Sequence, residues 1–145
     1  MKFTDIKQER QDLIINELNN HLIASYNIIK KDKALWPLFI IKGDKENENK
    51  LISLQPESGR IDVDKAFESA LATLKSTEFN VAIFSYSTKM SFDGKNYINA
   101  IKSTIILKDG FLISFFSPYE IKGFIKKQVY IGKSSLGEIE ENIFS

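Results

Sequence analysis

The 145-residue chain contains no cysteine. This absence excludes disulfide bonds, thiolate zinc sites, iron–sulfur clusters and a cysteine nucleophile. Because His21 is the single histidine, the common catalytic zinc triads are excluded as well. We therefore expect neither a metal nor another cofactor, and we interpret His21 as a surface or half-buried residue of a helix.

Long apolar runs and a strong net charge are also missing. No apolar run approaches the ~20 residues of a membrane helix, and the charged N-terminal residues lack the apolar core of a signal peptide. With 20 basic and 19 acidic residues, the net charge is +1, which gives no general attraction to nucleic acid. We therefore expect a cytoplasmic protein that binds neither a membrane nor nucleic acid.

Common catalytic signatures are not found. Neither a serine-hydrolase elbow nor a zinc-protease helix motif occurs. The segment Gly132-Lys133-Ser134 has the ending of a phosphate-binding loop, but Lys127 stands where that motif requires glycine. The sequence therefore assigns no catalytic residue and favours a role without catalysis.

The composition is that of an ordinary globular protein, with 43% hydrophobic and 27% charged residues. A chain of this length typically forms one domain, so we expect residues 1–145 to form a single domain. The preference for Lys, Ile and Asn over Arg, Val and Gln is typical of AT-rich bacterial genomes, so we expect a bacterial protein.

Two helices are predicted from apolar residues at three- and four-residue steps. The first extends from about Thr4 to Lys33, and the second starts at an Asp62 cap. Between them, two apolar runs at 35–41 and 50–55 predict a hairpin. The predicted apolar stripe of the first helix consists of Ile15, Leu18, Leu22, Tyr26 and Ile29.

Two Asp-Gly pairs, Asp93-Gly94 and Asp109-Gly110, lie between runs rich in strand-forming residues. Such pairs favour two-residue type I′ hairpin turns, and they predict a three-stranded meander from about Phe79 to Tyr119. Residues 124–131 could add a last strand. The capping-box spacing of Ser135 and Glu138 then predicts a short C-terminal helix.

Side chains alternate between the two faces of a strand, and a turn of even length pairs the even-numbered residues of one strand with the odd-numbered residues of the next. The side chains of the meander can therefore be assigned to two faces. Three lysines fall on one face and none on the other, so we place both helices on the face without lysine. The predicted fold is α+β in the order α-β-β-α-β-β-β, with both helices packed on one face of a mainly antiparallel sheet of five or six strands.

Two candidate sites follow from these faces. On the helix-covered face, a polar cluster with an apolar wall resembles a ligand-binding surface. The other face carries an apolar patch large enough for a protein contact. The candidate ligand-binding residues are Tyr86, Tyr97, Asn99, Ser103 and Ser114, and the candidate interface residues are Ile106, Phe111, Ile113 and Phe115.

Several landmarks resemble a family of small bacterial α+β proteins of uncharacterised function. The landmarks are Pro37-Leu38-Phe39, Asp93-Gly94, Ala100-Ile101 and Pro118-Tyr119, and the resemblance spans about residues 35–122. It implies the same order of elements but no activity. Where the family carries an acidic residue before the Ala-Ile pair, this chain has Asn99.

The leading hypothesis is a non-catalytic protein-interaction module that associates with itself or with another protein, such as a bacterial immunity or accessory protein. The alternative is a small-molecule-binding protein or an enzyme that uses the polar cluster on the sheet face.

A third hypothesis is nucleic-acid binding by the last third of the chain, where basic and aromatic residues are interleaved. Lysines that protect an edge strand from aggregation explain the same pattern and are favoured. These residues are Lys122, Phe124, Lys126, Lys127, Tyr130 and Lys133.

Overall fold

The computed structural model describes residues 2–33, 35, 37–44, 49–53, 62–91, 93–123, 126 and 128–144. These residues form an α+β structure, which confirms the predicted class. The helices are α1 (Gln8–Asp32) and α2 (Val63–Lys75), and the strands are β1 (Leu38–Lys42), β2 (Lys50–Ser53), β3 (Val81–Met90), β4 (Ile98–Leu107), β5 (Leu112–Lys122), β6 (Gln128–Ile131) and β7 (Ser135–Glu140). The predicted loop of residues 56–60, Phe124 and Lys127 lie outside the described residues.

The strands form one sheet in the order β2-β1-β3-β4-β5-β6, in which all neighbouring strands are antiparallel. Strand β7 also pairs with β5. Because β7 pairs with residues 112–116 of β5 and β6 with residues 119–122, β6 and β7 run one after the other along the same edge of β5. The predicted meander corresponds to β3, β4 and β5.

Both turns of the meander are longer than predicted. Met90 pairs with Ile98, so the first loop contains residues 91–97. At the second loop, the Leu107 amide donates a hydrogen bond to the Phe111 carbonyl over 2.8 Å. This bond pairs the two residues and leaves residues 108–110 as the loop. A three-residue loop of this kind typically places glycine in the left-handed region, and Gly110 has φ +89°.

The first loop is organised by the side chain of Asp93. Its Oδ1 atom accepts hydrogen bonds from the amides of Lys95 and Asn96, both over 2.8 Å. These bonds stabilise the charged form, so the pKa of Asp93 is strongly lowered. The Asp-Gly pair thus forms a turn, but within a seven-residue loop and not as a two-residue hairpin.

The odd length of both loops reverses the predicted parity between the strands. In the structure Ser103 pairs with Ser85 and Phe115, so odd-numbered residues of all three strands share one face. The prediction that Ser103 shares a face with Tyr86 and Ser114 is therefore wrong.

The two helices pack on opposite faces of the sheet. Helix α1 covers the odd-numbered side chains, with Ile14 and Leu18 packed in one cluster with Ile83. Helix α2 covers the even-numbered side chains, with Ala70 and Leu74 packed in another cluster. The prediction that both helices cover one face is wrong. It rested on a face without lysine, which exists only with even-length turns; in the structure Lys89 and Lys102 lie on opposite faces. The even-numbered strand residues of the α2 cluster are Ala82, Phe84, Ile106 and Leu112.

The buried stripe of α1 differs from the predicted one. Ile15 is 40% exposed, whereas the neighbouring Ile14 is fully buried. Two polar residues, His21 and Ser25, complete the buried stripe with Leu18 and Ile29. The interpretation of His21 as a surface or half-buried residue is wrong, since it is 3% exposed.

Helix α2 agrees with the sequence prediction. The Asp62 side chain accepts a hydrogen bond from the Lys65 amide over 3.1 Å, which satisfies one of the free amides at the helix start. Within the described residues, neither helix combines the length and the apolar character that a bilayer-spanning segment requires.

The predicted C-terminal helix is a strand, β7, because this segment packs closely on β5. A Cβ atom on Gly137 would lie far too close to the Ser114 Oγ atom and 3.2 Å from the Ser114 carbonyl oxygen. The Ser114 hydroxyl also accepts a hydrogen bond from the Glu138 amide over 2.9 Å. Pairing with β5 therefore overrides the local capping signal.

Replacing this glycine tests the close approach. We expect Gly137→Ala to destabilise the protein by about 1–3 kcal/mol, because the added methyl group overpacks the contact with Ser114. Chemical denaturation measures the change. In a Ser114→Ala background, which removes the nearest atom, the same substitution should cost less; equal costs in both backgrounds would contradict the contact.

Candidate functional site

The five candidate ligand-binding residues do not form one cluster. Ser103 is buried beneath α1, whereas Ser114 is buried on the opposite face, where its hydroxyl bonds to β7. Tyr86 packs at the side of the α2 cluster. Tyr97 and Asn99 are both exposed at the start of β4. The structure therefore brings only Tyr97 and Asn99 together.

These two residues line an open concavity of about 600 Å³ at one end of the sheet. Tyr119 and Tyr130 contribute further aromatic side chains, and Lys89 contributes a cationic one. The Tyr119 hydroxyl donates a hydrogen bond to the Ser87 Oγ atom over 3.1 Å, which fixes its ring. Because Glu120 also lines it, this concavity combines aromatic surface with an amide and with charges of both signs.

The four candidate interface residues are core residues. Ile106 belongs to the cluster under α2, and Phe111, Ile113 and Phe115 belong to the cluster under α1. Each is 6% exposed or less. The predicted apolar contact patch is therefore wrong as a surface, because the helices on both faces cover it.

A row of polar side chains lies buried between α1 and the sheet. The His21 Nε2 atom is 2.6 Å from the Ser85 Oγ atom, within hydrogen-bond distance. Ser25 lies one helical turn after His21, and Ser103 is the β4 neighbour of Ser85. All four residues are nearly inaccessible, since the most exposed of them is His21 at 3%.

This row does not form a catalytic triad. A hydroxyl hydrogen-bonded to an imidazole is the pairing used by serine nucleophiles, but here both groups are enclosed by apolar side chains. The His21 Nδ1 atom has no hydrogen-bond partner among the described residues, so the orienting carboxylate is missing. Burial, with a smaller contribution from the positive charge of Lys42, lowers the pKa of His21 to about 4. The imidazole is therefore neutral at pH 7 and acts as a packed polar residue.

Metal binding has no support in the described part of the chain. Among those residues, no group of three or more His, Cys, Asp or Glu side chains is arranged to hold an ion.

The outer side of α1 is the feature most unlike an ordinary protein surface. Between residues 13 and 27 no exposed side chain carries a charge. Glu17 is the one charged residue in this interval, and its Oε2 atom accepts a hydrogen bond from the Lys42 Nζ atom over 2.7 Å. We call this surface the uncharged face of α1; it consists of Leu13, Ile15, Asn16, Asn19, Asn20, Ile23, Ala24 and Asn27.

The uncharged face continues into a groove beside β6. Ile23 is 65% exposed, and together with Leu22 and Tyr26 it lines a concavity of about 610 Å³. The other wall runs from Ile131 to Ser134 and carries one charged side chain, Lys133. Depletion of charge combined with exposed apolar side chains is typical of the centre of a protein interface.

Comparison with protein-family models, with curated proteins and with solved structures gives no match to this chain. The resemblance to a family of small bacterial proteins therefore stays a prediction.

Sequence reasoning missed the uncharged face of α1 because it searched for apolar clusters and ionisable groups. The signal was present in the helical spacing. Every charged residue of α1 except Glu17 lies before residue 13 or after residue 29, which leaves more than three turns without an exposed charge.

The low pKa of His21 predicts a pH dependence of stability. The unfolded chain binds a proton near the ordinary pKa of 6.5, whereas the folded protein binds it only near pH 4. Stability should therefore be fully present above pH 6.5 and fall by roughly 3 kcal/mol as the pH drops to about 4. Urea denaturation across this range measures the loss.

The matched control is His21→Gln, which does not titrate. Carboxylates contribute equally to both proteins, so the difference between their pH profiles isolates the imidazole. Parallel profiles for the two proteins would show that His21 is not held neutral by burial.

Proposed function

We propose that this protein is a non-catalytic protein-interaction module that associates with itself through the uncharged face of α1. The observation that supports the proposal is the absence of exposed charge over residues 13–27 of a helix whose ends are charged. A solvated helix face normally carries charged residues, and their depletion favours burial against a protein partner.

The site chemistry supports a role without catalysis. The single histidine is buried and neutral, and its contact with Ser85 is closed to a substrate. An immunity or accessory protein fits the same proposal, because such a protein acts by occupying a surface.

Substitution of the most exposed apolar residue on this face tests the proposal. We expect the wild-type protein to form dimers at high micromolar concentration and Ile23→Asp to remain monomeric, because a buried unpaired carboxylate is costly. Light scattering or sedimentation velocity over a concentration series measures the mass. A wild-type protein that stays monomeric throughout would overturn the proposal.

Tyr97→Asp provides the matched control. Tyr97 and Ile23 are both 65% exposed, but Tyr97 lies before β4 and is not part of α1. This variant should dimerise like the wild type. Equal loss of dimer in both variants would argue against a specific role for α1.

A second candidate function, binding of a small organic molecule, is favoured by the concavity at Tyr97 and Asn99. Aromatic walls with a few orienting polar groups are typical of ligand sites. Screening small aromatic fragments by amide chemical shifts should then perturb residues 97–99 and 119, and Asn99→Ala should reduce those shifts. Fragments that perturb no residue of the concavity would rule out this function.

A further inference from the structure

The two ends of α1 carry opposite charges on the same side as the uncharged face. Glu9 and Asp12 are exposed before it, and Lys30 and Lys31 are exposed after it. Successive residues of an α-helix are rotated by about 100° around its axis. Viewed down the axis, these four positions lie within about 60° of the mean direction of Asn16, Asn20 and Asn27. The outer side of the helix is therefore acidic at its start, uncharged in the middle and basic at its end.

The middle of this surface has the spacing of a coiled-coil seam. Its residues follow each other at steps of three, four, three and four, which is the heptad pattern of helices that pack side by side. Asparagine in such a seam specifies orientation and register at some loss of affinity, since its amide must be paired when buried. The residues of this seam are Leu13, Asn16, Asn20, Ile23 and Asn27.

We propose that a second copy of this chain packs on the uncharged face, with the two α1 helices antiparallel around a two-fold axis. This inference rests on the proposed function and specifies its partner and geometry. An antiparallel arrangement places the acidic end of each helix against the basic end of its partner. A parallel arrangement would place like charges together at both ends, and like charges in contact oppose association.

The size of the surface sets the expected affinity. From residue 13 to residue 27 the helix is about 21 Å long at 1.5 Å per residue. A contact between two such stripes is at the small end of protein interfaces, where complexes are weak or transient. We therefore expect a dimer with micromolar affinity that weakens as salt screens the charged ends.

Charge reversal at one end of the helix tests the antiparallel geometry. In Glu9→Lys/Asp12→Lys every end contact becomes basic against basic, and in Lys30→Glu/Lys31→Glu every end contact becomes acidic against acidic. Each variant should dimerise on the order of tenfold more weakly than the wild type at low ionic strength. An equimolar mixture of the two variants should recover wild-type affinity as a heterodimer, because its ends are again complementary.

The control is Asp64→Lys/Glu68→Lys, which makes the same charge change at exposed positions of α2. It should leave the dimer unchanged, and circular dichroism should show that all variants keep their helices. If the charge-reversed variants dimerise as strongly as the wild type, or if their mixture does not recover wild-type affinity, the antiparallel geometry is overturned while self-association stands. A wild-type protein that is monomeric at every concentration would instead overturn the proposed function itself.

Discussion

The register of β3, β4 and β5 determines which side chains each helix covers. Both loops of this meander have an odd number of residues, so residues of equal parity lie side by side across all three strands. One face then presents Ile83, Ile105 and Ile113 to α1, and the other presents Phe84 and Ile106 to α2. Because side chains alternate along a strand, one residue more or less in either loop would move a whole strand's core residues to the wrong face.

This register also brings Ser85 and Ser103 together beneath α1. A buried hydroxyl normally has a hydrogen-bond partner. His21 provides one for Ser85, whereas the Ser25 and Ser103 hydroxyls have none among the described residues. The helix therefore buries a polar row together with its apolar residues, and it exposes Leu13 and Ile23 to solvent. An ordinary amphipathic helix separates these classes. In α1 both sides carry polar and apolar side chains. What distinguishes the two sides is that one packs on the sheet and the other faces solvent.

The Arg10 side chain connects α1 to the second loop of the meander. Its Nη2 atom lies 2.6 Å from the Asp109 Oδ2 atom, and its guanidinium group lies 5.1 Å from the centre of the Phe111 ring. Asp109 also accepts a hydrogen bond from the Phe111 amide. The same aspartate thus shapes the turn and contacts the start of the helix.

Local signals in the sequence were sufficient for the class of the fold, the positions of α2 and its Asp62 cap, and the meander. They were not sufficient for the loops. An Asp-Gly pair indicates a turn but not the length of the loop around it. That length depends on which amides bind the Asp93 carboxylate in the first loop and on how Gly110 closes the second loop. The predicted site failed for the same reason, since Tyr86, Ser103 and Ser114 share a face only if the loops have even length.

The sequence by itself determined the charge pattern of α1 and the absence of catalytic motifs, because both depend only on residue type and spacing. Only the tertiary structure decided that Ile14 and not Ile15 is buried, since adjacent helical residues point about 100° apart and the sheet selects the direction. It likewise decided that the apolar residues around Phe115 form core and not surface. Which side of a strand or helix becomes the interior is a property of what packs against it, and no local pattern contains that information.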